Sequence, residues 1–270
     1  MNLKVYWPFT ENELKRNLAY KGSFYLFMLC SCFGAFISYY LWMAIYGSSS
    51  TGVLGGFTKN EMVIYIFMTY ITSNIAGVSI ADYIDDDVRE GTVAMSLIRP
   101  IDYRMSLIAK AFGTMLYRFF APSLFVWIGL EVYKVTVLHM SITSVTYILL
   151  YLLSLILSCL IGLLLDFCFG MMAFVTTYMF GLNMAKEALM AFLTGQLIPI
   201  SFFPGVLQKI IEFLPFSTMV YTPVMLYLGK YSGREIGFVF ARQLIWVVLL
   251  YAFGSFLWKK ITKRLIVLGG

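Results

Sequence analysis

Charge is what this chain has least of. Only 13% of its 270 residues are Asp, Glu, Lys or Arg, about half the share usual in a soluble globular protein. With 60% of residues hydrophobic and a mean hydropathy of +0.82, a water-soluble fold would have to bury almost the whole chain, which surface-to-volume scaling forbids at this length. Cysteine is scarce as well. Cys30, Cys32, Cys159 and Cys168 fall in or beside apolar runs, where packing accounts for them better than a disulfide framework or a metal site. Histidine occurs once, as His139 in a short loop, and reads as a surface side chain. There is no Walker A loop, no HExxH, no GxSxG and no dinucleotide fingerprint. Asp, Glu and His are also sparse in the apolar runs, so a proton relay has few groups to use, and transport by this chain would draw its energy from elsewhere. The net charge of +6 does not point to nucleic acid; what matters is where Lys and Arg sit relative to a bilayer.

The charge that exists is concentrated. Asp82 to Lys110, "DYIDDDVREGTVAMSLIRPIDYRMSLIAK", carries ten charged side chains of a total made up of 20 basic and 14 acidic residues. A loop this charged faces water while the apolar runs on both sides of it face lipid. Gly91 offers a left-handed stop, Thr92 a cap for a second short helix over 93–99, and Pro100 an end to it. Asp85, Asp86 and Asp87 suit the start of the first helix, where the dipole favours anions. With no histidine and no further carboxylate pair at helical spacing, they do not read as a metal cluster.

Residues 1–22 read as an interfacial element, anchored by Tyr6, Trp7 and Phe9, with Thr10 and Glu13 at capping-box spacing; a disordered basic start is the alternative. The opening is too polar for an export signal, so the first apolar run is expected to stay as a span. Spans are expected over about 24–46, 62–81, 108–130 and 142–165, a fifth from about Phe167, and a last over about 236–258. The second carries Thr69, Thr72, Ser73, Asn74, Gly77 and Ser79 on a small or polar face, for helix packing or a water-lined path. Arg118 lies two turns inside the third, where an arginine needs a carboxylate partner, a snorkelling route to the headgroups or a substrate. Glu131 and Lys134 are placed in the loop that follows. Lys186 and Glu187 interrupt the fifth run. Gly195, Pro199, Pro204, Gly205 and Pro215 make a straight span improbable, so 188–216 reads as a re-entrant or interfacial hairpin. Twelve of the 20 basic residues fall in the start, the 82–110 loop and the tail. The positive-inside rule then places both termini in the cytoplasm, with six spans.

These stretches carry a resemblance. "REGTVAMSLIRPIDYR" at Arg89 to Arg104, "GQLIPISFFPGVLQKIIEFLPF" at Gly195 to Phe216 and "YTPVMLYLG" at Tyr221 to Gly229 resemble the permease subunit of bacterial type-2 ABC exporters, in the small six-span branch with a separately encoded ATPase. The resemblance implies an all-α polytopic membrane protein of the bacterial inner membrane, with the whole of 1–270 as one transmembrane domain. It implies a coupling helix within 82–110 that contacts the ATPase, for which Arg89, Glu90, Gly91, Thr92, Val93, Leu97, Ile98, Arg99 and Pro100 are the candidate residues. It also implies extracellular re-entrant helices around 195–215. The expected partners are cytosolic ABC ATPase subunits, a second copy or a different six-span permease, and the lipid bilayer. ATP and Mg are expected on the ATPase, with no cofactor and no metal on this chain. A self-contained channel, a secondary carrier or a membrane scaffold is the competing class. Nothing in the side chains selects among a drug, a peptide, a lipid or a glycan.

Overall fold

The computed structural model describes residues 3–19, 21–50, 52–98, 100–176 and 178–268. The chain is an all-α polytopic membrane protein. Its helices are α1 (Trp7–Ala19), α2 (Lys21–Ser48), α3 (Lys59–Ala76), α4 (Ile80–Arg89), α5 (Thr92–Ile98), α6 (Tyr103–Arg118) and α7 (Leu124–Thr136). They continue with α8 (Val145–Gly170), α9 (Phe180–Leu193), α10 (Gly205–Phe213), α11 (Tyr221–Tyr227) and α12 (Arg234–Leu268). Among the described residues four helical stretches are long and apolar enough to cross a bilayer: Lys59–Arg89, Tyr103–Thr136, Val145–Phe174 and Arg234–Lys263. The pair Gly205–Phe213 and Pro215–Tyr227, bent by 70°, makes a fifth if it counts as one span.

The first helix begins earlier than the Thr10 signal suggests. Pro8 sits in its first turn, where a missing N–H costs nothing, so Thr10 and Glu13 lie inside the helix and form no capping box. Their side chains bind other helices instead. Thr10 Oγ1 donates to the Ala109 carbonyl of α6 at 2.9 Å, and Gly113 of α6 lets the Thr10 carbonyl pass where any Cβ would overlap it. The reciprocal box occurs at α3. Thr58 Oγ1 accepts from the Glu61 N–H at 3.3 Å, and Glu61 accepts from the Thr58 N–H at 2.8 Å. Ahead of it Val53–Leu54 (β1) and Phe57–Thr58 (β2) pair antiparallel. Gly55 and Gly56, both at positive φ, turn this ribbon, as Gly-Gly does in tight hairpins. Lys230 ties the ribbon to the start of α3, 2.6 Å from Glu61 and 3.1 Å from the Gly56 carbonyl.

The third expected span is longer at both ends. It runs from Tyr103 to Thr136 through a wide π-turn at Phe119–Ser123 that contains Pro122. Proline cannot donate to the carbonyl four residues back, and the extra residue of a π-turn absorbs that gap. Glu131 and Lys134 therefore belong to α7 rather than to a loop. Lys134 Nζ lies 3.1 Å from Glu131, and Glu131 also receives bonds from Thr143 at 2.7 Å and from the Tyr227 hydroxyl. Trp127, Tyr151 and Tyr227 meet edge to face at 5.2–5.9 Å. Such ring pairs contribute about 0.5–1.5 kcal/mol each beyond their burial. This cluster belongs to the larger apolar core, which also holds Tyr65, Ile161 and Ile200; a second core gathers Ile80, Ile84, Leu107 and Phe167 around α4.

The fifth expected span starts in the wrong place. Phe167 is the last-turn continuation of α8, which ends at Gly170, and α9 begins at Phe180. The helix runs on through Asp166 because that carboxylate is fully bonded inside the protein, so it need not reach water. The segment expected as re-entrant from residue 188 is helical as part of α9 up to Leu193.

Candidate functional site

Between Ala76 and Ile80 the chain leaves one helix and enters another, and the charges around that break set the geometry of the region. The C-terminal end of a helix presents unpaired carbonyls and a partial negative charge, and the N-terminal end of the next presents unpaired N–H groups and a partial positive charge. Arg118 of α6 serves the first. Its Nη1 donates to the carbonyls of Asn74 at 3.0 Å and Gly77 at 3.1 Å. Asp166 of α8 serves the second. Its Oδ2 accepts from the Ala81 N–H at 2.8 Å and from Ser79 Oγ at 3.1 Å, while Ser79 Oγ accepts from the Asp82 N–H as the cap of α4. Asp166 Oδ1 lies 2.5 Å from Lys186 Nζ of α9, and both side chains are nearly buried, 11% and 13% exposed. One turn away, Asn183 Nδ2 donates to Asp82 Oδ1 at 2.8 Å. The start of α4 is thus fastened to α8 and α9 by one carboxylate and one amide.

The rest of α4 is fastened to α1 and α6. Glu13, 5% exposed, accepts from Tyr83 at 2.9 Å and Thr114 at 3.3 Å and pairs with Arg16 at 2.5 Å. Lys110 lies over the Tyr83 ring at 5.6 Å. At Gly170, α8 comes so close to α4 that a Cβ would sit 2.7 Å from Ile84 Cδ1. Helix α4 therefore moves with its neighbours or not at all.

Beyond Arg89 the chain turns back. Glu90 ends α4, Gly91 takes φ +71°, and α5 follows from Thr92 to Ile98. Several sequence expectations change here. Asp85, Asp86 and Asp87 lie in the second half of α4, because Ser79 starts that helix earlier than the acidic run suggests. Thr92 does not cap α5; its hydroxyl donates back to Asp87 Oδ1 at 3.0 Å, and Tyr103 donates to Asp87 Oδ2 at 2.7 Å. Val93 is 5% exposed and packs inward, so it supplies no docking area. Ile98 is 79% exposed, and Met95, which the sequence reading passed over, is 62% exposed. Arg89 and Glu90 flank this tip at the surface, with Arg89 4.0 Å from Asp85. Pro100 follows α5 in an exposed bend. Arg99 and the Leu97 side chain lie outside the described residues.

The other group of expected residues sits at the opposite end. Gly195 ends α9 with φ +81°, and its carbonyl accepts from the buried Tyr65 hydroxyl. Pro199 precedes the 3-10 turn Ile200–Phe202, Pro204 and Gly205 open α10, and Pro215 opens the turn into α11. Arg242 of α12 binds this region through the Glu212 carbonyl at 2.6 Å and Thr222 at 3.1 Å. Gln243, fully buried, bridges Ser154 and the Thr218 carbonyl.

Between the two groups lies a cleft of about 690 Å³ bounded by α1, α3, α4, α6 and α9. Arg118, Asp82, Asp86 and Glu187 line it, together with Ser73 and Asn74 of the polar face of α3. That face therefore borders a cavity as well as packing. A second, apolar cavity of about 500 Å³ lies between α2, α3 and α7. Among the described residues no group of three or more His, Cys, Asp or Glu side chains is placed to hold a metal ion.

The Arg118 geometry carries a prediction. Arg118→Leu strips a helix end of its bonded cation and takes the donor from the part-buried Asn74 carbonyl, a cost of about 1–3 kcal/mol, while the Gly77 carbonyl is exposed. Thermal unfolding in lipid nanodiscs should show a clear fall in midpoint and in folded yield, partly restored by Arg118→Lys. Normal stability with changed cargo preference would contradict the structural role.

A family model described as ABC-2 family transporter protein matches residues 25–268. No curated protein matches the chain.

Proposed function

Since the chain belongs to the ABC-2 family of transporter proteins, and is thus the membrane permease of an ABC transporter, we propose that it works by export, driven by a separate cytosolic ATPase. The observation that carries this reading is the α4–α5 hairpin. Its tip offers exposed Met95 and Ile98 beside the exposed charges of Arg89 and Glu90, while its base is bonded to α1, α6, α8 and α9. An apolar patch with a charged rim is what a transient protein interface requires, and a rigid base is what converts a push on the tip into helix movement.

In this reading the hairpin is cytoplasmic and so are both termini. Helix α2, 28 residues long, and the short α9 join the four long stretches to make six spans, and α10–α11 form a re-entrant pair on the outside. The cleft opens beside α4, so cargo loads from the ATPase side, which is the direction of export. Two such permeases, identical or different, enclose the pathway between them. ATP and Mg bind the partner alone, and this chain contributes no catalytic group.

Gly91 provides the test. A β-branched side chain at φ +71° is strained by about 1–2 kcal/mol whatever space surrounds it, and Gly91 has open space. Gly91→Val should therefore distort the turn without disturbing the spans. In vesicles reconstituted with the ATPase, we expect copurification of the ATPase or cargo-stimulated hydrolysis to fall several-fold, with the ATP affinity of the isolated ATPase unchanged. Transport of the same cargo by the purified chain without ATP would overturn the reading in favour of a channel or secondary carrier.

A further inference from the structure

The geometry points to a cargo class: the cleft is built for an amphiphilic organic cation, an amine or guanidine head on an apolar body. This rests on the permease reading above and names what the site of that permease accepts.

The charges in the cleft are unequal in availability. Its two guanidiniums are already committed, Arg16 to Glu13 at 2.5 Å and Arg118 to the carbonyls of Asn74 and Gly77. Its carboxylates are not. Asp82 has only the neutral amide of Asn183, and Asp86 and Glu187, both exposed, have no side-chain hydrogen bond or ion pair among the described residues. Asp82 and Asp86 lie one turn apart on α4, and Glu187 lies one turn from Asn183 on α9, so the Asn183–Asp82 bond brings all three to one rim. An anionic rim in a chain of net charge +6 attracts cations locally and repels anions.

Inside the rim the wall changes character. Met190, Met219, Val220 and Tyr70 present apolar surface, with the soft thioethers that adapt to varied shapes. On the α3 wall, Ser73 Oγ and Asn74 Oδ1 are buried with no hydrogen-bond partner. Orphaned acceptors of this kind cost free energy until a donor reaches them, and an N–H of the cargo supplies it. The volume of about 690 Å³ lies in the range of small-molecule sites.

Two probes with one body and opposite heads make the test. Dansylcadaverine ends in an ammonium and dansyl-aminocaproate in a carboxylate. Binding to the purified chain in nanodiscs is read from dansyl fluorescence with empty nanodiscs subtracted. Saturable binding of the ammonium probe, at least about tenfold tighter than the carboxylate probe and weakened at high salt, supports the assignment. The double variant Asp86→Asn with Glu187→Gln should lose about tenfold in affinity, and Asp86→Glu with Glu187→Asp should keep it, each at an unchanged elution profile. Equal binding of the two probes, preference for the carboxylate, absence of saturable binding, or indifference to the double variant would overturn it. The wild-type comparison stands even where the double variant fails to fold. No ATPase enters the assay, so it separates from the permease reading: ATP-driven export of other cargo without probe binding sinks the cargo class alone, and probe binding without any ATPase partner sinks the permease reading alone.

Discussion

Asp166→Ala should be among the most damaging single substitutions in this protein, lowering stability by about 3–5 kcal/mol. Removing one member of a buried ion pair costs that much because the other charge is left without compensation, and here the stranded partner is Lys186 at 13% exposure. The same change removes the acceptor of the Ala81 N–H at the start of α4. Lys186→Met should cost less, since the carboxylate keeps Ser79 and Ala81. The double variant Asp166→Asn with Lys186→Met should recover much of the loss, because the amide still accepts from α4 and no charge is stranded. Thermal unfolding in nanodiscs of the wild type, Asp166→Asn, Lys186→Met and their double variant, analysed as a double-mutant cycle, measures the coupling. Strictly additive losses would show that the pair does not hold α4.

That pair also marks where sequence reasoning stopped. The turn at Gly91 and the irregular backbone from Gly195 to Pro215 were legible because glycine and proline act through their own backbone chemistry. The long apolar runs were legible because hydropathy needs no partner. Asp166 and Lys186 gave no such signal: each reads as a charge that interrupts an apolar run, and only their pairing across two helices shows why both runs continue. The Thr10–Glu13 spacing misled for the same reason. It matches a capping box, but a side chain's partner is decided by which helix passes by: α6 at Thr10, and both α4 and α6 at Glu13. Arg118 was visible as an anomaly, and its use of carbonyls follows from the break at Gly77, which the polar face of α3 did not reveal.

The second large effect is expected at Gly113. Its Cα faces the Thr10 carbonyl and lies beside Glu13, whose Cβ would be 3.1 Å from a new methyl group. The obstacle is backbone, so no rotamer relieves it, and Gly113→Leu forces α1 away from α6. This strips Glu13 of Thr114 and Tyr83 and exposes the Thr10–Ala109 bond. Overpacking costs about 1–3 kcal/mol, to which the loss of a buried carboxylate's partners adds several more. Protease should then cut within residues 1–22 of the folded variant much faster than in the wild type. Equal protection would mean that α1 is held by something other than this contact.

The π-turn at Phe119–Ser123 behaves as one residue too many in an otherwise regular rod, which makes the length of this segment a matter of phase. Five residues of a π-turn span about the arc that four span in an α-helix, so α7 already has the phase of a rod one residue shorter. Deleting Pro122 should therefore let an unbroken α-helix form with Trp127 still at the Tyr227 hydroxyl that it now meets at 3.1 Å, and with Lys134 and Glu131 still in their shared network. Deleting one residue of regular helix in α6 would instead turn everything beyond by about 100°, the angle of a single helical residue, and swing those side chains toward hydrocarbon, so folded yield should survive a deletion at Pro122 far better than one within Met105–Leu116.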